Sequence, residues 1–255
     1  ALTLPEPRNA LIPTVDIAPA QGWSAGERPT AAPALQVEAF ASGLSHPRWL
    51  YVLPNGDVLV AETAAPAKKV EGIRARIAHW VMKRAGAAVP SAERISLLRD
   101  ADGDGVAEFR SVLLDGLHSP FGMALVEDTL YVANTDAVVS VPYQEGQTRI
   151  DAAPTKLVDL PAGEINQHWT KSLLASPDGS RLYVGVGSNS NVAENGLEAE
   201  RERAAIWEIE RASGAHRIFA SGLRNPVGMA FEPHSGQLWT VVNERDELGS
   251  DLVPD

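Results

Sequence analysis

The chain has 255 residues, of which 44% are hydrophobic, a composition typical of a globular protein and not of a disordered or collagen-like one. Its 33 acidic and 22 basic side chains give a net charge of −11, which argues against the concentrated basic surface that nucleic-acid binding requires. The absence of cysteine excludes disulfides, thiolate metal sites and thiol catalysis, and no apolar run approaches the roughly 18 residues of a membrane span.

The N-terminal segment, residues 1–34, is rich in proline and alanine, and we expect it to be extended and irregular. The sequence begins at Ala1 and not at methionine, which fits either a mature product after export to the periplasm or to the medium, or a trimmed chain. We expect residues 35–255 to form the folded domain.

A unit of corner, strand, turn and strand recurs four times in this domain. Its turns contain proline, asparagine, aspartate and glycine, which favour tight reversals, and the segments after the turns are rich in β-branched and aromatic residues. The copies are SGLSHPRWLYVLPNGDVLVAE (42–62), DGLHSPFGMALVEDTLYVANT (115–135), INQHWTKSLLASPDGSRLYVGVG (165–187) and SGLRNPVGMAFEPHSGQLWTVVNE (221–244).

Further strand candidates lie between the copies, among them residues 109–114 and 205–210. Repeats with about four short strands each predict an all-β fold, a β-propeller. We expect this chain to cover about four blades. Because it ends directly after a strand pair, we expect it to be a portion of a longer polypeptide that contains the remaining blades.

A basic segment, KKVEGIRARIAHWVMKRAG, occupies residues 68–86. Ile73, Ile77 and Trp80 recur at helical spacing, so the segment is predicted to be an amphipathic helix. A helix of this kind can dock a partner or a membrane surface. The simpler interpretation is a helical insertion that lies across a sheet outside the blades.

Alternating carboxylates follow in DADGDGVAE, residues 100–108. Asp100, Asp102, Asp104 and Glu108 have the spacing that wraps oxygen atoms round one calcium ion, and the glycines permit the sharp turn. The flanking sequences are typical of strands, so we predict a structural calcium loop within a hairpin and not an EF-hand.

The corners that precede the first strand of each copy share an unusual chemistry. They contain His46 and Arg48, His118, His168, and Arg224 with Asn225. In a propeller these corners gather at one end of the central channel, so we expect imidazole, amide and guanidinium groups to converge there. His168, Arg224 and Asn225 are expected to face a common cavity.

These motifs resemble the soluble quinoprotein sugar dehydrogenases, six-bladed propellers that use pyrroloquinoline quinone (PQQ) and calcium. GLRNPVGMAF (222–231) resembles the Arg-Asn-Pro corner of that family, and QHWTKSLLASPDGSRLYVGVGSNSN (167–191) resembles the segment with its catalytic histidine. The insertion before residue 95 and the ending NERDELGSDLVPD are most similar to the L-sorbosone and aldose sugar dehydrogenase branch. The resemblance covers residues 35–255.

The resemblance implies that His168 is the general base, which takes the proton of the sugar's anomeric hydroxyl while hydride passes to the quinone. It implies that Arg224 stabilises the oxyanion of the quinone and that Arg224 and Asn225 contact PQQ, with His118 and Arg245 as further cofactor-binding candidates. A separate electron acceptor would then reoxidise the cofactor.

One feature separates this chain from the glucose-type enzymes. Those enzymes place an aspartate where Ser188 stands, so the base is either oriented by another carboxylate or tuned differently. Their catalytic calcium takes mostly backbone oxygens from the segment that resembles residues 244–251, and in this chain Glu244, Asp246 and Glu247 are candidate ligands.

Two other functions remain open on the sequence. A calcium-dependent propeller hydrolase of the lactonase type also uses carboxylates and histidine around a channel ion, although Arg224 and Asn225 would have no evident task in it. A non-catalytic propeller that binds a protein or a glycan through its rim is the second alternative.

Overall fold

The computed structural model describes residues 18–24, 26–67 and 72–246. The described residues before Pro47 form turns and extended stretches without a helix or strand. Most of the expected N-terminal segment, together with Glu247 and the residues after it, lies outside the described residues.

Fourteen strands make up the described part of the domain, and their order along the chain follows the predicted repeat. They are β1 (Pro47–Val52), β2 (Val58–Glu62), β3 (Arg94–Arg99), β4 (Phe109–Leu114), β5 (Met123–Val126), β6 (Thr129–Ala133), β7 (Ala137–Pro142), β8 (Thr155–Asp159), β9 (Lys171–Ala175), β10 (Arg181–Val186), β11 (Ala205–Glu210), β12 (His216–Ser221), β13 (Pro226–Phe231) and β14 (Leu238–Val242).

The strands form antiparallel sheets in sequence order, which is the topology of a β-propeller. Sheet 1 is β1 to β4, sheet 2 is β5 to β8, sheet 3 is β9 to β12, and β13 pairs with β14 in a two-stranded sheet 4. The first strands β5, β9 and β13 contact one another in turn, as inner strands around a channel do. The all-β propeller prediction is confirmed, and the number of six blades stays a prediction.

The hydrophobic core lies between neighbouring sheets. Leu59, Leu97 and Leu113 of sheet 1 pack with Leu130 and Val139 of sheet 2 in one buried cluster. A second cluster joins sheet 2 to sheet 3 and contains Tyr131, Leu182 and Trp207. This packing holds the corners of adjacent sheets in a fixed relation.

The two outermost sheets have apolar faces that no described residue covers. Leu50 and Val52 of β1 are 62% and 64% exposed, and Trp239 and Val241 of β14 are 67% and 68% exposed. Each pair is spaced by two residues, so each pair lies on one face of its sheet.

The connection between β2 and β3 contains the helix α1 (Gly72–Arg84). Its apolar stripe does not lie across a sheet, in contrast to the simpler interpretation of the sequence, because Ile73 and Trp80 are 78% and 58% exposed. The contact that joins it to an earlier segment is a hydrogen bond from the Ala20 amide to the Arg84 carbonyl at 3.1 Å. Among the described residues no helix has the length and apolar character needed to cross a membrane.

Candidate functional site

Three of the four corners carry a histidine that is anchored in the same way. Nδ1 of His46 contacts the Thr63 carbonyl at 2.7 Å, Nδ1 of His118 contacts the Asp136 carboxylate at 2.8 Å, and Nδ1 of His168 contacts the Ser188 carbonyl at 2.9 Å. In each sheet the acceptor lies just after the second strand, which ends beside the corner because neighbouring strands are antiparallel. The repeat seen in the sequence is therefore also a repeat of side-chain geometry.

His168 is held in one tautomer. Nδ1 lies 2.9 Å from the Ser188 carbonyl oxygen and 3.0 Å from the Ser188 hydroxyl oxygen, and that hydroxyl donates to the Ser190 carbonyl at 2.6 Å. A carbonyl oxygen only accepts, so Nδ1 carries the proton and the lone pair lies on Nε2. Ser188 thus orients the imidazole through its backbone carbonyl, at the position where the glucose-type enzymes of the resemblance have an aspartate.

Burial lowers the pKa of His168 below the ordinary value of 6.5, and the charge of Arg224 contributes in the same direction. The hydrogen bond from Nδ1 to the Ser188 carbonyl raises the pKa by less than burial lowers it, although by more than Arg224 does, and the charges of Asp246 and Glu200 raise it further. The side chain is half-buried in the corner, so desolvation penalises the imidazolium form. His168 is consequently neutral at pH 7 and able to accept a proton on Nε2.

Gly187 brings His168 next to Asn225. A Cβ atom at position 187 would lie 2.5 Å from Asn225 Oδ1 and closer still to the His168 Cβ. Only a glycine leaves room for both side chains on this stretch of backbone. The imidazole from the third corner and the amide from the fourth corner therefore lie side by side, although 56 intervening positions separate them in the sequence.

Arg224 directs its five N–H groups to oxygen atoms of two segments. Nε and Nη2 donate to the backbone and side-chain oxygens of Asn191 at 3.1 and 2.8 Å. Nη1 donates to the carbonyls of Asn243 and Glu244, and Nη2 also donates to the Asp246 carboxylate at 2.7 Å. The guanidinium therefore ties the segment after β10 to the segment after β14, and in this conformation it has no N–H left for a ligand.

The predicted calcium ligands of the last segment have other partners or lie on the surface. The Asp246 carboxylate is paired with Arg224, while Glu244 and Arg245 are exposed, and Glu247 lies outside the described residues. Within the part of the chain that the structure describes, these side chains do not form a cluster of three or more metal-ligating groups. Calcium binding by this segment and cofactor binding by Arg245 stay predictions.

His118 belongs to the same edge of the propeller but has its own partner. Its imidazole is exposed and pairs with Asp136, and its backbone carbonyl accepts from the Thr135 amide at 3.0 Å. The Thr135 hydroxyl donates to the Trp169 carbonyl at 2.9 Å, so the second and third corners are joined. The proposed contact of His118 with a cofactor is not tested by this geometry.

The four acidic residues between β3 and β4 converge. Each of Asp100, Asp102, Asp104 and Glu108 offers a carboxylate oxygen, and these oxygens lie within 4.8 Å of one another. The loop is shaped by amide groups: Gly103 and Gly105 donate to Asp100 at 2.7 and 2.9 Å. These bonds, with that from Gly105 the largest, hold the pKa of Asp100 below its usual range. The arrangement has the hard oxygen donors that calcium prefers.

Three residues of the site escaped the sequence analysis. Gly187 follows a strand as an ordinary loop glycine does, and Asn191 resembles any polar residue of a loop, yet Asn191 Oδ1 accepts from both Arg224 and the Asp246 amide. Lys171 stands three positions after His168, and its burial is not visible in the sequence. The spacing of Asn-Ser-Asn after the third copy was the available signal for Asn191.

The residues at this edge fit an anionic, planar cofactor in part. Asn225 offers an amide beside the neutral imidazole of His168, and Arg48 of the first corner, whose guanidinium lies 5.7 Å from the Trp169 ring, offers an exposed cation. Such donors and cations are the groups that bind carboxylates and quinone oxygens. Arg224 fits less directly, since its donors already have partners.

Residues 91–253 match the TrAA12-like family. The structure is similar to a calcium-bound enzyme of carbohydrate-active family AA12 from Trichoderma reesei, with 20% identity, a TM-score of 0.66 and coverage of 86% of this chain and 51% of that one. It is also similar to the holo PQQ domain of pyranose dehydrogenase from Coprinopsis cinerea, with 17% identity, a TM-score of 0.63 and coverage of 81% of this chain and 46% of that one. A third similar structure is the PQQ-bound aldose sugar dehydrogenase of Streptomyces coelicolor, with 18% identity, a TM-score of 0.53 and coverage of 80% of this chain and 58% of that one. At these identities the likeness establishes the shared fold, and the chain spans about half the length of these structures.

Proposed function

The chain belongs to the TrAA12-like family, and we propose that it is the part of a PQQ- and calcium-dependent sugar dehydrogenase that carries the general base. The reaction is the oxidation of an aldose or aldehyde sugar, of the sorbosone type, to its lactone or acid. The observation that carries this proposal is the neutral imidazole of His168, locked by Ser188 with its Nε2 lone pair available and placed beside Asn225.

In this mechanism Nε2 of His168 removes the proton of the anomeric hydroxyl. An imidazole with a pKa below its ordinary value is unprotonated at neutral pH and is ready to act as a base. The remaining hydrogen of that carbon leaves with its electron pair, and bound PQQ supplies the two-electron acceptor that this step requires. The Ser188 carbonyl stabilises the imidazolium that forms, because it accepts from Nδ1 throughout.

Different residues would hold the cofactor and shape its surroundings. We propose that Asn225 donates to it directly and that the exposed cations Arg48 and Arg245, with His118, bind its carboxylates. Arg224 would contribute its positive charge and hold the Asn191 loop in place, and it would contact the cofactor only by giving up a present partner.

Calcium has a candidate structural site in this proposal. Asp100, Asp102, Asp104 and Glu108 would bind one ion and stabilise the hairpin of β3 and β4. We further propose that Glu244, Asp246 or Glu247, or the carbonyls of that segment, hold the ion that serves the cofactor. The dehydrogenase would act in the periplasm or after secretion and deliver its electrons to a separate acceptor.

We propose that further blades of the same protein cover the open faces of sheets 1 and 4. Leu50 and Val52, and Trp239 and Val241, are the apolar pairs that this packing would bury. In the described part of the chain, the corresponding space beside sheets 2 and 3 is filled by the adjacent sheet. The remaining cofactor contacts would come from the corners of those blades.

The test is cofactor-dependent dye reduction by the full-length protein. With PQQ and calcium added, aldoses or L-sorbosone should reduce the dye, and His168→Gln should lower turnover by roughly 10²- to 10⁴-fold. The control, His234→Gln, changes a histidine in the exposed turn between β13 and β14 and should leave turnover unchanged. Lactone hydrolysis without dye reduction would favour the hydrolase alternative, and inactivity in both assays would favour a binding propeller.

A further inference from the structure

Lys171 is the first residue of the inner strand β9 and its side chain is 0% exposed. Its ammonium donates to the carbonyl oxygens of His168 at 3.2 Å and of Trp169 at 3.3 Å. Both partners are backbone atoms of the corner that carries the proposed base. A buried lysine would ordinarily be expected to pair with a carboxylate.

A second buried cation holds the other end of the same corner. Arg203 is 6% exposed and donates to the Asn166 side chain at 3.0 Å and to the Ala162 carbonyl at 2.6 Å. Asn166 in turn donates to Thr135 at 3.0 Å, and Thr135 donates to the Trp169 carbonyl that also accepts from Lys171. Residues 162–169 are therefore held by hydrogen bonds from two buried cations, Arg203 and Lys171, and from Thr135 of the neighbouring sheet.

The position of Lys171 is costly for a charged group. Burial lowers the pKa of Lys171 from 10.5 to about 7, and the nearby charge of Arg203 acts in the same direction, while Asp136 acts against them. An apolar side chain such as methionine would avoid this desolvation. Packing alone therefore does not account for a lysine here, but the donation to two consecutive carbonyls does, since an apolar side chain cannot make it.

We propose that Lys171 is a positioning residue for His168: its ammonium holds the His168 and Trp169 carbonyls and so keeps the imidazole against Ser188 with Nε2 presented to the substrate. The catalytic consequence rests on the proposed dehydrogenase function, whereas the positioning itself does not. Charge-assisted hydrogen bonds are about twice as strong as neutral ones. The hydrogen bonds from Lys171 to the His168 and Trp169 carbonyls are therefore stronger when Lys171 is protonated.

The test compares three variants of the full-length protein. Lys171→Met removes the donors at similar volume, Lys171→Arg keeps a permanent cation, and Lys156→Met is the control because Lys156 is exposed on β8 and pairs with Asp159. The first readout is ¹⁵N NMR of the histidine rings without cofactor, with the His168 signals assigned from His168→Gln. The second is kcat and KM of the loaded enzyme.

In the unmodified protein we expect the Nδ1–H tautomer of His168. Its ring signals should change with pH in two steps, one as His168 itself takes up a proton and one near pH 7 as Lys171 loses its proton. Lys171→Met should abolish this step and mix the two tautomers. Its kcat should fall by roughly 10- to 100-fold, since small misplacements of a catalytic group have effects of this size, and KM should change less than about twofold. Lys171→Arg should also lack the step near pH 7 but retain the Nδ1–H tautomer and recover most of kcat.

A pure Nδ1–H tautomer and unchanged kcat in a folded Lys171→Met would overturn the proposal, as would a step near pH 7 that persists in Lys171→Arg. Should Lys171→Met fail to fold, the Lys171→Arg titration and tautomer decide by themselves. If the NMR results are as expected but no sugar is oxidised by any form, the positioning role stands and the dehydrogenase function is wrong.

Discussion

Nδ1 of His168 lies 2.9 Å from the carbonyl oxygen of Ser188, a residue 20 positions further along the chain and two beyond the end of β10. The bond joins the corner before β9 to the loop after β10, and it determines which ring nitrogen is free. A backbone carbonyl cannot be lost by mutation of its side chain, and it accepts at every pH. The proposed base is thus oriented by a neutral group.

The acid side of the pH profile should reflect the lowered pKa of His168. The neutral ring is the active form, so kcat/KM should fall as the pH drops through that pKa, with a midpoint below the ordinary 6.5. The profile of kcat/KM, measured beside the ¹⁵N titration of His168, checks this. A midpoint at or above 6.5 would contradict the desolvation argument.

Substitution of Ser188 by aspartate should raise the pKa of His168. The new carboxylate would lie near Nδ1 and favour the imidazolium form. The acid limb of the activity profile should therefore move to higher pH, which NMR titration of the ring would show directly.

Ser188→Ala serves as the matched control, because it keeps the carbonyl and removes only the hydroxyl, which lies 3.0 Å from Nδ1. The tautomer should be retained and the midpoint should move little. Loss of the Nδ1–H form in Ser188→Ala would assign the orientation of His168 to the hydroxyl instead.

Gly187→Ala should lower both the activity and the stability of the protein. The added Cβ would overlap the His168 Cβ and lie 2.5 Å from Asn225 Oδ1, so both side chains must move. Overpacking of this kind costs about 1–3 kcal/mol of unfolding free energy, while kcat should fall by about 10²-fold through misplacement of the base. Denaturant unfolding and steady-state kinetics measure the two effects.

The control for this substitution is Gly22→Ala, where nothing lies within 4 Å of the added atom. It should change neither the unfolding free energy nor the kinetics. Equal activity in Gly187→Ala and Gly22→Ala would show that the close approach of His168 and Asn225 is not needed.

Arg224→Lys should loosen the connection between the segments after β10 and β14. A lysine has three donors at one point and cannot reproduce the five N–H groups that reach Asn191, Asn243, Glu244 and Asp246. A hydrogen bond contributes about 0.5–1.5 kcal/mol net, and less where the acceptor is exposed to water, as at Asn243, Glu244 and Asp246. We expect a lower Tm and faster hydrogen exchange of the Asp246 amide, which donates to Asn191 at 2.9 Å.

Arg149→Lys is the comparison, since the Arg149 side chain is 70% exposed and pairs with Asp151, which is 80% exposed. An exposed pair contributes little, so its Tm should be unchanged. An Arg224→Lys protein with unchanged Tm and exchange would show that the guanidinium network is not structural.

Calcium should stabilise the protein through the Asp100 loop, the segment between β3 and β4 with Asp100, Asp102, Asp104 and Glu108. A ligand at 100 times its Kd raises the unfolding free energy by about 2.7 kcal/mol, and the four carboxylates, with oxygens within 4.8 Å, repel one another without a cation. We expect a higher Tm in calcium than in EDTA, and a strongly reduced difference in the double variant Asp102→Asn, Asp104→Asn. Terbium luminescence measures binding directly.

Asp151→Asn removes an exposed carboxylate away from the loop and should keep the full calcium effect. Calcium also has a proposed site near residues 244–247, so the double variant is not expected to lose every ion. An identical shift in Tm in the double variant and in the control would remove the Asp100 loop from the list of calcium sites.

The repeat, and with it the fold, could be predicted from local patterns in the chain. Strand propensity and turn residues are local properties, which is why strands Phe109–Leu114 and Ala205–Glu210 were predicted with the bounds that the structure shows. The corners were also readable, because a repeat places residues of equal register at equal positions in space. The proximity of His168 and Asn225 was predicted in this way. The convergence of Asp100, Asp102, Asp104 and Glu108 was predicted from their spacing, because these carboxylates are close in sequence.

The contacts between the corners could not be predicted, because they depend on how the sheets pack. Three contacts depend on how sheet 3 packs against its neighbours, and no local pattern encodes them. They are the approach of His168 to Asn225 beside Gly187, the hydrogen bond from Arg224 to Asn191 and the burial of Lys171. The same holds for helix α1. Its periodicity predicted a helix with one apolar side. The periodicity does not say which surface that side packs on, and in the structure it is exposed.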